Sequence, residues 1–221
     1  MIMIADPTAT ATMRHAMVAS QLRTNAVSDQ RVVAAMARVP REDFVPAAAR
    51  EIAYRDTAVA LGGGRQLNPP MATGRLLTEA DLAPDDRVLL IGAATGYTAA
   101  VLAQIVGTIV AVEEDQALVA DARMALSGID AVELVEAPLT AGHAAGAPYD
   151  VLIVDGAIEA VPDALIGQVR SGGRIVSGIV ESGVTRLAGG RKTAGGFGLA
   201  AFADADCVVL PGFARPRGFS F

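Results

Sequence analysis

Residues 88–97 read VLLIGAATGY, four apolar residues followed by a turn of mostly small residues. An unbroken apolar run of this length is typical of a strand that is buried on both faces, as in a parallel sheet covered by helices. Small residues in the turn allow the backbone to approach a ligand closely. Ligands of doubly wound sheets bind beyond the carboxyl ends of the strands, where the strand order reverses. This turn is therefore the first candidate for a binding site.

The longer segment 88–112 contains no charged residue and is long enough to cross a bilayer as one helix. Gly92, Gly96 and Gly107 weaken a continuous helix, and the two ends of the segment are strand-like. We therefore predict a strand, a turn, a buried helix and a second strand, with no membrane partner. The first six residues lack the basic and long apolar regions of a secretory signal, so we expect a cytoplasmic protein.

Strand and helix patterns alternate through the middle of the chain. Strands are predicted at residues 87–91, 108–113, 131–136, 150–155 and 173–179, and helices at 96–106, 115–127, 140–146 and 159–170. Such alternation predicts an α/β fold with a doubly wound, mostly parallel sheet.

The two ends of the chain show different patterns. Helices are predicted at 8–24, where Thr8 or Thr10 is available as an N-cap, at 28–39 and at 70–82. Residues 40–70 are predicted to be irregular with short strands. Turns at Gly189-Gly190 and Gly195-Gly196 and a strand at 197–202 predict two or three antiparallel strands that complete the sheet.

Length and composition predict a single domain over residues 1–221. We divide it into an N-terminal helical extension (1–82), a nucleoside-binding βα core (83–180) and C-terminal strands (181–221). A single cysteine, Cys207, excludes an intramolecular disulfide, and with only two histidines we predict no metal site. The net charge of −6 argues against a nucleic-acid partner.

Two glycine templates compete for the turn at 92–97. The dinucleotide fingerprint G-x-G-x-x-G would need glycine at 92, 94 and 97, and only Gly92 is present. The nucleoside-binding turn of methyltransferases, [D/E]-x-G-x-G-x-G, is matched at Gly92 and Gly96 but not at Leu90 and Ala94. We favour the second template. The alternative is that these glycines only pack a helix against a strand.

Two acids end predicted strands near this turn. Glu113 lies about twenty residues after it and can accept hydrogen bonds from both hydroxyls of a ribose. Asp155 follows the fourth strand and could hold the ammonium group of a ligand. The alternatives are a solvated acid for Glu113 and a turn cap for Asp155.

Several motifs together resemble the protein-L-isoaspartate O-methyltransferase family. They occur in family order between residues 13 and 180: VPREDFVP at 39–46, AYRD at 53–56, GGG at 62–64, GAATGYTAA at 92–100 and APYD at 147–150. The resemblance implies a Rossmann-like class I methyltransferase fold. It implies transfer of a methyl group from S-adenosyl-L-methionine to the free carboxylate of L-isoaspartyl or D-aspartyl residues in damaged proteins. The implied partner is an isoaspartyl peptide or protein, and we expect a monomer or weak homodimer.

The resemblance also implies roles for individual residues. The family's Thr-Ile-Ser-x-Pro segment corresponds to residues 66–70, QLNPP, so Asn68 stands at the serine position and is the candidate catalytic residue. The candidate substrate-binding residues are Asp56 and Gln66. The candidate cofactor-binding residues are Gly92, Ala94, Gly96, Glu113 and Asp155.

Among the positions that depart from the family pattern are Asn68, Leu90, Ala94 and Pro138. They motivate the alternative of an impaired or inactive relative that acts as a ligand-binding or regulatory module. A methyltransferase with another substrate and a nicotinamide oxidoreductase are further alternatives.

Overall fold

The computed structural model describes residues 7–215, which form two sheets surrounded by helices. The helices are α1 (Pro7–Met17), α2 (Gln30–Arg38), α3 (Pro70–Glu79), α4 (Tyr97–Leu102), α5 (Gln116–Ala125) and α6 (Asp163–Gln168). The strands are β1 (Val59–Gly62), β2 (Arg65–Leu67), β3 (Arg87–Ile91), β4 (Thr108–Glu113), β5 (Val132–Glu136), β6 (Tyr149–Ile158), β7 (Val169–Glu181), β8 (Val184–Arg191) and β9 (Ala200–Asp204).

The main sheet has seven strands in the order β5-β4-β3-β6-β7-β8-β9. The first five strands in this order are parallel, and β8 and β9 continue the sheet in antiparallel fashion. The chain runs from β3 outward to β5 and then returns to the other side of β3 as β6. The strand order therefore reverses between β3 and β6, and the predicted α/β doubly wound fold with antiparallel C-terminal strands is confirmed.

The apolar run in β3 is buried on both faces of the sheet. Val88 and Leu90 belong to the larger hydrophobic cluster, whereas Leu89 and Ile91 belong to a second cluster on the other face. The uncharged segment 88–112 forms β3, the six-residue α4 and most of β4. No helix within residues 7–215 is long and apolar enough to cross a membrane.

The N-terminal helix differs from its prediction in two respects. It begins at Pro7, so Thr8 and Thr10 lie inside it and the predicted N-cap is wrong. After Met17 the chain continues as a π-helical turn (Val18–Leu22) and a short 3₁₀ turn (Arg23–Asn25).

The helix predicted at 140–146 is wrong, because only residues 144–146 form a 3₁₀ turn. Gly142 has a φ of +62°, which a right-handed helix does not accommodate. The side chain of Gln168 replaces helical hydrogen bonds here: Nε2 donates to the Ala141 carbonyl (2.7 Å) and Oε1 accepts from the His143 amide (2.9 Å).

The turn predicted at Gly189-Gly190 is also wrong, because both glycines lie inside β8. They are glycines because other groups approach the strand closely. A Cβ atom at Gly190 would lie 2.1 Å from the carbonyl oxygen of Gly198, and one at Gly189 would lie 3.0 Å from the Glu79 side chain.

We expect Gly190→Ala to lower the free energy of unfolding by about 1–3 kcal/mol, because the new methyl group overlaps the carbonyl oxygen of Gly198. Urea unfolding would measure the change. Gly198→Ala is the matched control, since a Cβ atom there would meet nothing within 4 Å. Equal stability of the two variants would contradict the close approach.

Candidate functional site

Glu113 ends β4 at the carboxyl edge of the sheet and is completely buried. Its Oε1 accepts hydrogen bonds from the amides of Glu114 (2.9 Å) and Asp115 (3.1 Å), and its Oε2 accepts one from the amide of Ala94 (2.8 Å). Arg65 forms a bidentate ion pair with the same carboxylate, at 2.5 Å (Nη1 to Oε1) and 2.9 Å (Nη2 to Oε2). The solvated-acid alternative for Glu113 is therefore wrong.

Arg65 reaches Glu113 from a two-stranded hairpin, formed by β1 and β2, that stands apart from the main sheet. A Cβ atom at Gly63, in the hairpin turn, would lie 3.2 Å from Oδ2 of Asp115, so the tip of the hairpin covers the beginning of α5. A carboxylate offers about four lone-pair sites. The five hydrogen bonds to Glu113 fill them, so in this conformation the carboxylate cannot also bind a ribose.

The glycine turn lies directly beside Glu113. The amides of Gly92 and Ala93 both donate to the Val112 carbonyl at 3.0 Å, which holds the turn against β4. Ala94 has a φ of +50°, a conformation that glycine adopts more readily. A Cβ atom at Gly92 would lie 3.0 Å from Cδ1 of Leu210, so a side chain of the protein itself uses the space that this glycine leaves.

Gly96 is required both by its backbone and by its surroundings. Its φ is +97°, and a Cβ atom would lie 2.9 Å from the Leu126 side chain. Side chains of other segments, Leu126 and Leu210, thus approach Gly96 and Gly92, whereas the alternative of packing a helix against a strand stays a prediction.

Asp155 lies within β6 at an irregularity in the pairing with β7, between Val154 and Ala157. Its carboxylate accepts hydrogen bonds from Nδ2 of Asn68 (2.7 Å) and Oγ1 of Thr98 (2.5 Å). Burial raises the pKa of Asp155 above its ordinary value. Asp155 therefore holds side chains of the protein in this conformation.

Asn68 bridges Asp155 and the C-terminal segment. Its Oδ1 accepts a hydrogen bond from the Val208 amide (2.8 Å) and lies 3.3 Å from Sγ of Cys207. The residue is only 2% exposed. One amide hydrogen of Asn68 is therefore committed to Asp155, and its oxygen is committed to residues 207–208.

Arg41, in the VPREDFVP segment, is fully buried and supports the segment that carries Asn68. Its Nε donates to the Ala53 carbonyl (2.7 Å), and its Nη2 donates to the Asn68 carbonyl. The guanidinium carbon lies 4.7 Å from the centre of the Tyr97 ring, a cation–π distance. The sequence motif thus has a structural role next to the candidate site.

The two candidate substrate-binding residues line a common cavity of about 470 Å³, together with Cys207 and Val208. Asp56 also accepts a hydrogen bond from the Met71 amide (3.0 Å) near the start of α3, so it organises the loop. Side chains alternate along a strand. Gln66 is exposed and lines this cavity, whereas its neighbour Arg65 is buried against Glu113.

The structure brings the candidate residues together in three groups: Ala94 with Glu113, Asn68 with Asp155, and Asp56 with Gln66. Among residues 7–215, no three histidine, cysteine, aspartate or glutamate side chains converge as metal ligands.

Sequence reasoning missed the roles of Arg41, Arg65, Thr98, Cys207 and Val208. The available signals were the positions of Arg41 in the VPREDFVP motif and of Thr98 in the GAATGYTAA motif, and that of Arg65 directly after three glycines.

We expect Asn68→Ala to lower the free energy of unfolding by about 1–3 kcal/mol, because it removes the donor to Asp155 and leaves the buried Val208 amide without its acceptor. Urea unfolding would measure this loss. Gln116→Ala, at an exposed position, is the control and should change stability by about 0.5 kcal/mol or less. An equal effect of both substitutions would contradict the bridging role.

The raised pKa of Asp155 predicts a pH dependence of stability. Between the pKa of the unfolded chain, about 4, and the higher value in the folded protein, the folded state binds more protons. The free energy of unfolding should therefore fall as pH rises through this interval. Asp155→Asn removes this titration, so the wild-type protein should lose stability relative to the variant from about pH 4 upward.

Urea unfolding of both proteins between pH 4 and pH 8 would test this dependence. Asp130→Asn, at an exposed position, is the control. A stability difference between wild type and Asp155→Asn that stays constant with pH would contradict it.

Comparison with known proteins assigns this chain to a family. The family model described as protein-L-isoaspartate(D-aspartate) O-methyltransferase matches residues 13–201. Protein-L-isoaspartate O-methyltransferase 2 of Pelobacter propionicus is 39% identical over 165 residues, which cover 74% of this chain and 73% of the relative. Protein-L-isoaspartate O-methyltransferase of Koribacter versatilis is 35% identical over 192 residues, which cover 86% of each chain.

Solved structures agree with the family match. A protein-L-isoaspartate O-methyltransferase superposes with a TM-score of 0.78 at 25% identity, over 90% of this chain and 66% of that chain. A putative enzyme of the same name from Plasmodium falciparum, solved in complex with S-adenosyl-L-homocysteine, gives a TM-score of 0.72 at 16% identity over 91% of this chain and 97% of that chain. The chain therefore belongs to the protein-L-isoaspartate(D-aspartate) O-methyltransferase family.

Proposed function

We propose that this protein transfers the methyl group of S-adenosyl-L-methionine to the free carboxylate of L-isoaspartyl or D-aspartyl residues in damaged proteins, which initiates their repair. One observation carries the proposal: the family match extends over residues 13–201, from the N-terminal helices to β9. It includes the candidate residues at the carboxyl edge of the sheet.

The reaction makes modest chemical demands on the protein. A carboxylate with an ordinary pKa near 4 is ionised at neutral pH, so the attacking group needs no general base. S-adenosyl-L-methionine would supply the methyl group. The protein has to align the two reactants and exclude water.

The cavity beside Asn68 supports a binding site for the substrate peptide. We assign substrate binding to Asp56 and Gln66, which line this cavity. The exposed Gln66 amide can donate hydrogen bonds to a peptide. We assign the catalytic role to Asn68, because its Nδ2 carries a second hydrogen, besides the one donated to Asp155, for the reacting carboxylate.

We assign cofactor binding to Gly92, Ala94, Gly96, Glu113 and Asp155. These residues lie in the turn after β3, at the end of β4 and within β6, near the point where the strand order reverses, which is the usual ligand site of doubly wound sheets. In the conformation described here Glu113 binds Arg65 instead of a ribose.

A second candidate function is a non-catalytic relative that acts as a binding or regulatory module. One observation favours it: the carboxylate of Glu113 is saturated by groups of the protein itself. Such a module would form no methyl ester.

The proposal extends to the setting of the protein: a cytoplasmic location, a monomer or weak homodimer, and no nucleic-acid or membrane partner. The net charge of −6 supports the absence of a nucleic-acid partner, because sequence-independent binding to phosphates requires a basic surface.

We expect the purified protein, incubated with methyl-labelled S-adenosyl-L-methionine and an isoaspartyl peptide, to form a base-labile methyl ester. The same peptide with ordinary aspartate is the control and should remain unlabelled. Absence of ester at high protein concentration would reject the proposed activity and favour the non-catalytic module.

A further inference from the structure

We propose that Arg65 is an internal competitor of the cofactor. Its guanidinium occupies the carboxylate of Glu113, which would otherwise accept the ribose hydroxyls, so that the Arg65–Glu113 ion pair and nucleoside binding exclude each other. Arg65 is then the residue that determines how tightly the protein binds its cofactor. This inference rests on the proposed function only for the identity of the ligand.

The competition follows from the number of hydrogen bonds at Glu113. Both carboxylate oxygens are used by Arg65, at 2.5 and 2.9 Å. The other donors are backbone amides of Ala94, Glu114 and Asp115, which the glycine turn and the start of α5 hold in place. Two ribose hydroxyls can therefore reach Glu113 only when the guanidinium leaves.

Arg65, whose side chain must move in this exchange, is carried by a small hairpin. It contains only two strands, of four and three residues, and its strands do not pair with the main sheet. Val59 and Leu67 anchor the hairpin in the larger hydrophobic cluster, so the exchange involves the Arg65 side chain and the turn, not the whole hairpin. The turn at Gly62–Gly64 has positive φ values at all three glycines.

The ion pair is also incompletely satisfied. Arg65 is 7% exposed, and its Nε is buried without a hydrogen-bond partner. A buried donor without an acceptor costs free energy, which release into water would recover. The ribose hydroxyls would replace the two arginine donors at Glu113, so the exchange leaves no oxygen of the carboxylate unpaired.

A neutral side chain at position 65 would remove the competitor but keep the rest of the site. In the variant Arg65→Gln, Glu113 retains its three backbone donors and regains capacity for two hydroxyls. The matched control is Arg191→Gln on β8, where the arginine is 60% exposed and lies 3.9 Å from its nearest acidic partner, Asp81.

Isothermal titration of the full chain with S-adenosyl-L-homocysteine would test the proposal. We expect Arg65→Gln to bind about tenfold more tightly than wild type, equivalent to about 1.4 kcal/mol, and Arg191→Gln to bind like wild type. A gain of threefold or more for Arg65→Gln, absent in the control, supports the competition. A smaller gain or a loss of affinity overturns it.

Circular dichroism would establish that Arg65→Gln is folded. If it is not, the side-chain N–H signals of Arg65 in the wild-type protein provide a second test by NMR. Saturation with S-adenosyl-L-homocysteine should shift these signals as the ion pair breaks. Unchanged signals at saturation would overturn the proposal.

These outcomes are separable from those of the proposed function. Tighter binding by Arg65→Gln without formation of a methyl ester would reject the activity and keep the competition. Methyl ester formation by wild type, together with equal affinities of wild type and Arg65→Gln, would reject the competition and keep the activity.

Discussion

A fully buried carboxylate at the end of β4 constrains the whole candidate site. A charge inside a protein must be paired and hydrogen-bonded, because its transfer out of water is otherwise far too costly. Glu113 meets this requirement with three backbone amides and one arginine. The glycine turn, the start of α5 and the β1–β2 hairpin are thereby fixed relative to one another. The same requirement makes Glu113 both a suitable acceptor for a ribose and a strong partner for any cation of the protein that can reach it.

A second polar chain joins the N-terminal segments to the sheet. Arg41 donates to the carbonyl of Asn68, the Asn68 side chain donates to Asp155, and Asp155 also accepts from Thr98. Asn68 extends this chain to the C-terminal segment through the Val208 amide. Because the members of such a network depend on one another, the side-chain amide of Asn68 has a structural role in addition to the proposed catalytic role.

The central architecture could be predicted from the sequence because the buried strands of the main sheet are continuous apolar runs. The apolar runs of β3 and β4 and the acid at 113 are readable residue by residue. Predictions based on glycine were less reliable. At Gly189 and Gly190 the glycines mark close approach of other groups, not a turn. The Arg65–Glu113 pair joins residues 48 positions apart, so it depends on how the hairpin packs and no local pattern reveals it. The division at residues 82 and 180 stays a prediction.

The two candidate functions differ in the free energy needed to replace Arg65 by the ribose hydroxyls of the cofactor at Glu113. A ligand that binds only the open form has its apparent affinity reduced by the fraction of molecules in that form. If Arg65 leaves Glu113 in about one molecule in ten, the apparent affinity falls only about tenfold, which is compatible with an enzyme. If the ion pair is about 3 kcal/mol stronger than in that case, the fraction of molecules with a free Glu113 falls by a further factor of more than about one hundred. The protein then behaves as a module without cofactor. Under the proposed competition, how well Arg65 satisfies Glu113 decides between the two candidate functions, and the unpaired Nε of Arg65 favours the weaker pair.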